Sequence, residues 1–283
     1  MENRSGKIEG AKAPAGALKS TSWDAVAKWY DETVELEGSY QKELILPNLL
    51  RLMEIKKYEK VLDLACGQGF FSRAFAGAGA TVVGADISKD LVRIAVEKSQ
   101  TRLPKTFGQE EITYHVSPAH SLPFLKDGSV EKVAIVLALQ NIEQFEETLK
   151  ECARVLIPTG RLFIVLNHPA FRIPRASSWG FDEKAGVQFR RVDRYLSNSK
   201  EKISMNPSLN TAKGIEKEIF TLSFHRPLQA YVKALSKAGL VVRRLEEWNS
   251  AKVSEPGPRA KTENRARKEF PLFLAIEAIR LSV

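Results

Sequence analysis

The chain has 283 residues, 43% of them hydrophobic and 27% charged, which is typical of a soluble globular protein and suits one α/β domain with an insertion. Two isolated cysteines, Cys66 and Cys152, exclude a disulfide framework or a cysteine metal cluster, and we predict no metal site. The longest apolar run, 133–139, is too short to cross a membrane, and the N-terminus lacks a secretory signal. We therefore expect a cytoplasmic protein without a membrane partner. The net charge of +9 is compatible with an anionic partner or with a solvated basic surface.

The N-terminal region divides into two predicted parts. Residues 1–20 are rich in Gly, Ala, Lys and Pro without apolar periodicity, which predicts a flexible tail. Residues 21–56 are interpreted as a helical lid. Its first helix, 23–36, carries aromatic residues on one face, and its second, 40–54, restarts or kinks at a proline.

A strand–helix rhythm begins after this lid. Apolar runs that end in turn signals predict five buried strands. These strands are residues 61–65, 81–86, 112–116, 130–139 and 161–167. Because helical segments alternate with them, the sequence predicts an α/β fold with a parallel sheet covered by helices on both faces. A helix at 227–238 and strands at 240–248 and 271–281 complete the predicted domain, which spans 57–168 and 227–283.

The rhythm breaks between residues 169 and 226, which we interpret as an inserted, β-rich cap. Residues 171–226 contain eleven basic and six acidic side chains, and residues 250–269 contain six and three. Within the insertion, 188–197 and 218–225 are predicted to pair as a β-hairpin. Residues 255–270 are predicted to form a long exposed loop, which leaves contact with a substrate open.

The loop after the first strand carries the most informative motif. Gly67 and Gly69 let the backbone approach a ligand closely, and Asp86 ends the second strand nineteen residues after Gly67. A carboxylate at that place can accept both hydroxyl groups of an adenosine ribose. A dinucleotide-binding loop would have a third glycine where Ser72 stands, and Asp63 would repel a pyrophosphate. The pattern therefore favours a cofactor with a cationic group.

The run D-x-A-C-G-x-G from Asp63, with Asp86 after the second strand and Leu-Pro-Phe at 122–124, resembles the class I S-adenosylmethionine-dependent methyltransferases. The nearest subset is the small-molecule enzymes related to those of ubiquinone biosynthesis. The resemblance implies a Rossmann-like, seven-stranded sheet with an antiparallel last strand. It also implies S-adenosyl-L-methionine as cofactor and S-adenosyl-L-homocysteine as product.

The same resemblance assigns parts of the cofactor to residues of this chain. It places the methionine portion at Asp63 and the 65–69 loop, the ribose at Asp86, and the adenine against Ile87, with Ala119 and His120 nearby. The family often has an aspartate that binds the adenine amino group, where this chain has Pro118 and Ala119. That amino group then needs another acceptor, such as a backbone carbonyl or His120. The full set of predicted cofactor-binding residues is Tyr30, Asp63, Ala65, Cys66, Gly67, Gly69, Asp86, Ile87, Ala119, His120, Leu139 and Gln140.

The methyl acceptor is expected where the fourth and fifth strands end, because ligands of open α/β sheets bind outside the carboxyl ends of the strands. Asn141 and His168 lie at those two ends and are the candidate catalytic residues, with His168 as a possible general base or a loop-capping residue. The candidate substrate contacts in the insertion combine charge with aromatic surface. They are Arg172, Arg175, Trp179 and Tyr195.

Three functions remain open at this point. The first is methylation of a small molecule, aromatic or anionic, by in-line displacement. The second is methylation of RNA, which the basic, aromatic insertion favours. The third is a non-catalytic cofactor-binding module, against which the intact motif argues. We prefer the small molecule, since the sequence shows no recognisable nucleic-acid-binding module.

Overall fold

The computed structural model describes residues 23–102, 112–205 and 220–281, so the predicted tail, 1–20, lies outside the described residues. The strands are β1 (Lys60–Leu64), β2 (Thr81–Asp86), β3 (Ile112–Val116), β4 (Val130–Val136), β5 (Leu156–Asn167), β6 (Ser177–Asp182), β7 (Val187–Val192), β8 (Ser199–Ser204), β9 (Phe220–His225), β10 (Leu240–Trp248) and β11 (Phe273–Arg280). The helices are α1 (Trp23–Glu35), α2 (Leu46–Met53), α3 (Phe70–Gly77), α4 (Lys89–Arg102), α5 (Phe145–Val155), α6 (Leu228–Lys237) and α7 (Ala260–Glu269). No helix of these described stretches is long and apolar enough to cross a membrane.

Seven strands form the central sheet in the order β10-β11-β5-β4-β1-β2-β3. β11 runs antiparallel to both of its neighbours, and the other pairs between β5 and β3 are parallel. The predicted Rossmann-like sheet with an antiparallel last strand is therefore confirmed. The chain passes from β3 at one edge to β4 on the far side of β1. This reversal makes the carboxyl ends of β1 and β4 a topological switch point, where open α/β sheets bind ligands.

The hydrophobic core lies on both faces of the sheet, because successive strand residues point to opposite sides. Leu62 and Leu64 of β1 pack with α5 and α6, whereas Val61 packs with α2 and α3. Helices thus cover both faces, as the continuous apolar runs of these strands predict. The segment before α2 is a π-helical turn, Gln41–Ile45, and a proline stands in the first turn of α2, where its missing N–H costs no hydrogen bond.

The insertion contains two antiparallel hairpins, and the predicted pairing of 188–197 with 218–225 is wrong. β7 pairs with β6, and β9 pairs with β8. The turn between β6 and β7 has its own local bonds: Asp182 Oδ1 accepts the N–H groups of Lys184 and Ala185, and Gly186 has a φ of +60°. A short turn of this kind closes at lower entropic cost than a loop of twenty residues, so β7 takes its nearest partner.

The segment predicted as one long exposed loop, 255–270, contains the helix α7 instead. Ala266 is the buried residue of this helix, and its sequence is otherwise almost entirely polar. The sequence of this segment therefore has no apolar stripe from which a helix could have been predicted. The helix packs against β7, and Phe270 at its end contacts Trp179 edge to face at 5.4 Å between ring centroids.

Candidate functional site

The main cleft opens at the carboxyl ends of the central strands, with an empty volume of about 1010 Å³ that includes solvent at its mouth. Ligand sites of small molecules typically occupy about 300–1,000 Å³. One part, here called the β2 side, is lined by Trp23, Tyr30, Ala65, Gly67, Asp86, Ile87, Leu91, Ser117, Pro118, Ala119 and His120. The other part, the β9 side, is lined by Val136, Leu137, Ala138, Asn141, Ile142, Glu143, Gln144, Leu222 and Phe224.

The loop after β1 folds tightly because three of its residues take left-handed backbone conformations. The φ angles are +58° at Ala65, +55° at Gly67 and +79° at Gly69. A Cβ atom on Gly69 would lie 2.5 Å from Tyr114 Oη, so no side chain fits there without a shift. A Cβ atom on Gly67 would lie 3.3 Å from Tyr30 Cε1, on the wall of the main cleft. Gly69 thus lets the loop pack closely against Tyr114, and Gly67 keeps the loop backbone open to a ligand at the cleft wall.

Asp86 connects this loop to the end of β2. Its Oδ2 accepts the Gly67 N–H at 2.9 Å, and its Oδ1 accepts the Ser88 N–H at the same distance. The side chain is buried but lines the main cleft. Burial raises the pKa of Asp86, and the two N–H donors oppose that rise. Each carboxylate oxygen has a second lone pair, so the fixed carboxylate can still accept hydroxyl groups of a ligand.

Asp63 lies behind the loop and does not line the main cleft. Its carboxylate is 1% exposed and accepts the Ser72 hydroxyl at 2.5 Å. Burial raises the pKa of Asp63 to about 7, with the charge of Asp86 adding to the rise. Cys66 and Gly69 also lie outside the lining of the main cleft, within or beneath the loop. A contact of these three predicted residues with a ligand would be indirect, through the loop backbone or through water.

Helix α1 covers the β2 side with two aromatic rings. Trp23 and Tyr30 line the main cleft and meet edge to face at 5.6 Å. Burial and the charge of the neighbouring Asp86 together raise the pKa of Tyr30 to about 12, so its hydroxyl stays protonated. Polar contacts fix the helix along its length, including the Ser88 hydroxyl that donates to Asp24 at 2.6 Å. The structure thus brings the predicted Tyr30 to the site together with Trp23.

The remaining predicted residues of the β2 side follow β2 and β3. Ile87, Ala119 and His120 line the main cleft as expected. The Ser117 N–H donates to the Asp86 carbonyl at 2.8 Å, which holds the 117–120 loop next to the end of β2. Pro118 also lines this wall, and its side chain has no hydrogen-bond acceptor.

The β9 side is built from residues distant in sequence. β4 ends at Val136, earlier than the predicted 139, because Leu137 takes a left-handed φ of +53° before a short 3-10 turn. Asn141, a predicted catalytic residue, lines the cleft. Glu143 lines it as well, and its carboxylate pairs with Lys200 of β8 at 2.9 Å. This ion pair connects the loop after β4 to the insertion.

The residues of the β9 side that the sequence analysis missed include Glu143, Gln144, Leu222 and Phe224. The first two follow the predicted end of the fourth strand closely, so their position was a usable signal. Leu222 and Phe224 lie on β9. Because the pairing of this strand was predicted wrongly, nothing in the sequence indicated which of its side chains point into the main cleft.

Several predicted residues lie away from the main cleft. His168 Nε2 pairs with Glu247 Oε1 at 2.7 Å, and its Nδ1 accepts the Ala170 N–H at 3.2 Å, which is the loop-capping alternative. Burial lowers the pKa of His168.

The structure places Leu139 fully in the core. Arg175, Trp179 and Tyr195 lie on the insertion outside the lining of the main cleft, and their predicted roles stay predictions. Arg172 and Gln140 line a smaller neighbouring cavity.

Comparison with known proteins finds matches to the segment that carries most of the β2 side. A family described as "Methyltransferase domain" matches residues 62–164. A demethylmenaquinone methyltransferase of Streptomyces avermitilis is 33% identical over 153 residues, 54% of this chain and 62% of that protein. The chain thus spans less than two thirds of the length of this relative. A protein of Acidiphilium cryptum named ubiquinone/menaquinone biosynthesis C-methyltransferase UbiE is 29% identical over 68% of this chain and 78% of its own length.

Solved structures share the fold over most of the chain. An S-adenosylmethionine-dependent methyltransferase from Mesorhizobium loti has a TM-score of 0.60 at 25% identity, over 82% of this chain and 96% of its own. The [4+2]-cyclase SpnF has a TM-score of 0.59 at 15% identity, over 93% of this chain and 97% of its own. Since a cyclase shares the architecture, the fold alone does not determine the reaction, and the site must carry the functional argument.

Proposed function

We propose that this chain, whose residues 62–164 match a methyltransferase domain, transfers the methyl group of S-adenosyl-L-methionine to a small-molecule acceptor. The observation that carries the proposal is the bond between the Gly67 N–H and Asp86 Oδ2 at the wall of the main cleft. This bond holds a carboxylate and an open loop next to each other at the ends of two adjacent parallel strands. The carboxylate can then bind the ribose of the cofactor, and the loop can bind its methionine portion.

The residues of the β2 side fit the cofactor. Gly67 leaves space where a Cβ atom would approach Tyr30, and Asp86 offers free lone pairs for the ribose hydroxyls. Ile87, Ala119 and His120 would hold the adenine, with a backbone carbonyl or His120 accepting from its amino group. Asp63 would act on the cationic part through the loop, since its side chain is buried and does not line the main cleft.

When bound, the cofactor supplies an electrophilic methyl group on a sulfonium. The chain has to align the acceptor with that methyl group and exclude water, because an in-line displacement depends mainly on orientation. Tyr30 and Trp23 cover the β2 side, and Phe224 forms an aromatic wall on the β9 side. The acceptor must release a proton if its reacting atom carries one at the working pH.

We propose Glu143 as the group that takes this proton, in place of His168. Glu143 lines the β9 side, and Lys200 pairs with one of its carboxylate oxygens, which orients the side chain. His168 lies outside the main cleft, and its Nε2 is already engaged by Glu247. The geometry therefore favours the carboxylate, because a general base must come within hydrogen-bond reach of the proton it abstracts.

The acceptor class follows from the lining of the β9 side. Val136, Ile142, Leu222 and Phe224 supply apolar surface, and Asn141 and Gln144 supply polar groups. Such a lining suits a planar ring with one or two polar substituents. The names of two similar proteins, a demethylmenaquinone methyltransferase and a ubiquinone/menaquinone C-methyltransferase, agree with a ring-containing acceptor.

RNA is the second candidate acceptor, and the exposed basic residues of the insertion favour it. Arg175, Lys184 and Arg194 are exposed on or next to the two hairpins. Ionic strength separates the two candidates. Binding to single-stranded RNA should weaken with a slope of about −0.7 per phosphate contact on a log–log plot against salt, whereas a small acceptor should show a shallow slope.

The test of the proposal is a transfer screen with cofactor that is isotopically labelled in its methyl group. The full chain is incubated with fractionated metabolites and, separately, with total RNA, and labelled products are counted. We expect label in a small-molecule fraction, and its loss in an Asp86→Ala control. Label in RNA would establish the second candidate, and no label in either pool with intact cofactor binding would favour a non-catalytic module.

A further inference from the structure

A second cavity, here called the side cleft, adjoins the main cleft. Its empty volume is about 300 Å³, again including solvent at its mouth. Phe224 lines both cavities, so the two cavities meet at one aromatic residue. Arg172 and Arg226 also line the side cleft, and no Asp or Glu is among its lining residues. The side cleft is therefore a small cationic space beside the proposed acceptor position.

Arg226 is a fixed cation in this wall. It is 7% exposed, and its guanidinium donates to the carbonyls of Ile142 at 2.8 Å, Glu143 at 3.1 Å and Leu139 at 3.3 Å. It also stacks over the rings of Phe145 and Phe224. Burial lowers the pKa of Arg226, and its contacts with Tyr231 and the charge of Glu143, a residue of the main cleft, oppose that shift.

Arg172 faces the side cleft from the other segment, after β5. Its guanidinium lies over the ring of Phe273 at 5.2 Å, and no Asp or Glu of the described ranges is among the groups that shift its pKa. Burial lowers the pKa of Arg172, and the charge of Arg190 lowers it further. A half-buried cation without an anionic partner is unfavourable unless a ligand supplies one.

Gln140 provides an independent sign of a missing ligand. It lines the side cleft and is 8% exposed. Its Nε2 donates to the Leu137 carbonyl at 2.8 Å, but its Oε1 has no hydrogen-bond partner among the described residues. Buried polar atoms are normally paired, so an unpaired amide oxygen beside two arginines indicates a ligand with a donor group as well as an anionic one.

We infer that the side cleft binds the carboxylate of an aromatic acid, whose ring lies against Phe224 in the main cleft. Arginine binds carboxylates with paired, charge-assisted hydrogen bonds, and the small cavity admits a group of that size. A hydroxyl or protonated substituent near the carboxylate would donate to Gln140 Oε1. The inference rests on the proposed function, since it assigns the side cleft to the methyl acceptor.

The test compares benzoate with its neutral analogue benzamide and with phenyl phosphate, titrated calorimetrically into the full chain with and without saturating S-adenosyl-L-homocysteine. We expect benzoate to bind at least about tenfold more tightly than benzamide, because an ionised acceptor roughly doubles the strength of its hydrogen bonds. This comparison uses the unmodified protein and needs no variant to fold.

Two matched variants locate the site. Arg172→Gln should weaken benzoate binding about tenfold or more and leave benzamide unchanged. Arg191→Gln removes the same charge from an exposed arginine of the insertion, whose side chain is 67% exposed and pairs with Asp193, and should change benzoate binding less than twofold. Thermal unfolding of both variants checks that each is folded.

Equal binding of benzoate and benzamide, or an unchanged affinity in a folded Arg172→Gln variant, overturns the inference. Tighter binding of phenyl phosphate than benzoate overturns the assignment to a carboxylate. The product titration in the same samples separates this inference from the proposed function. If S-adenosyl-L-homocysteine binds and benzoate does not, the side cleft assignment fails alone. If S-adenosyl-L-homocysteine does not bind, the proposed function fails. The benzoate titration done without this product then still tests whether the side cleft binds a carboxylate.

Discussion

The two sides of the main cleft are built in different ways. The β2 side comes mostly from short loops that directly follow β1, β2 and β3, and its carboxylate is held by backbone N–H groups within about twenty residues of sequence. The β9 side joins the loop after β4 to two distant parts of the insertion. The Glu143–Lys200 ion pair connects it to β8, 57 residues later, and the carbonyls bonded to Arg226 connect it to the end of β9, 84 residues after Ile142. Local turn chemistry determines the first side, and long-range strand pairing determines the second. The two sides should therefore respond separately to substitution.

The largest expected effect is at the loop of the β2 side. Gly67→Val should weaken binding of S-adenosyl-L-homocysteine about a hundredfold or more, since a left-handed backbone at a branched residue costs about 1–3 kcal/mol and the added atoms approach Tyr30. Calorimetry measures the affinity, and circular dichroism checks the fold. Gly186→Val, at a positive φ in the hairpin turn far from the cleft, is the matched control and should leave the affinity unchanged.

A smaller loss is expected when the ribose acceptor is altered. Asp86→Asn keeps the shape of the side chain but removes its charge, which should cost about 1.5–3 kcal/mol of product binding, or roughly tenfold to a hundredfold. Asp90→Asn, on an exposed turn of α4, serves as the control. Equal affinities in the two variants would contradict the assignment of the ribose to Asp86.

The reverse pattern should appear on the β9 side. Phe224→Leu should raise the KM of the acceptor identified by the transfer screen about tenfold, because the pocket loses the ring wall, while product affinity changes less than twofold. Phe220→Leu, on the same strand but outside the cleft lining, should leave both quantities unchanged. A variant at Phe224 that loses product binding and keeps the acceptor KM would show that the two sides are not separable.

The smallest expected effect is a pH dependence that originates on the β2 side. Burial raises the pKa of Asp63 to about 7 in the folded chain, above its ordinary value of 3.8. The folded state therefore holds a proton that the unfolded state has released, so this contribution to stability is full below about pH 4 and is lost as the pH rises through about 7. Between about pH 4 and 7, the melting temperature of the unmodified chain should fall. The melting temperature of Asp63→Asn should fall by a few degrees less over the same range. Parallel profiles would show that Asp63 does not titrate there.

The same contrast explains what the sequence could predict. The Gly67, Gly69 and Asp86 positions follow from strand ends and turn chemistry, which are local, and the sheet order agrees with the strand–helix rhythm. Phe224 and Leu222 could not be found, because their face depends on pairing between β8 and β9 across a long connection. His168 was predicted from its place after the fifth strand, yet Glu247 of β10 turns it away from the cleft, a partner that sequence spacing does not reveal.

Calorimetric titration of S-adenosyl-L-methionine, S-adenosyl-L-homocysteine and NAD into the full chain tests the central claim most directly. The claim is that the loop after β1 and the Asp86 carboxylate together form the site of the methyl donor. We expect the methyl donor and its product to bind once per chain, with most of that affinity lost in Asp86→Ala and no heat from NAD. Binding of NAD without binding of the methyl donor or its product would contradict the account.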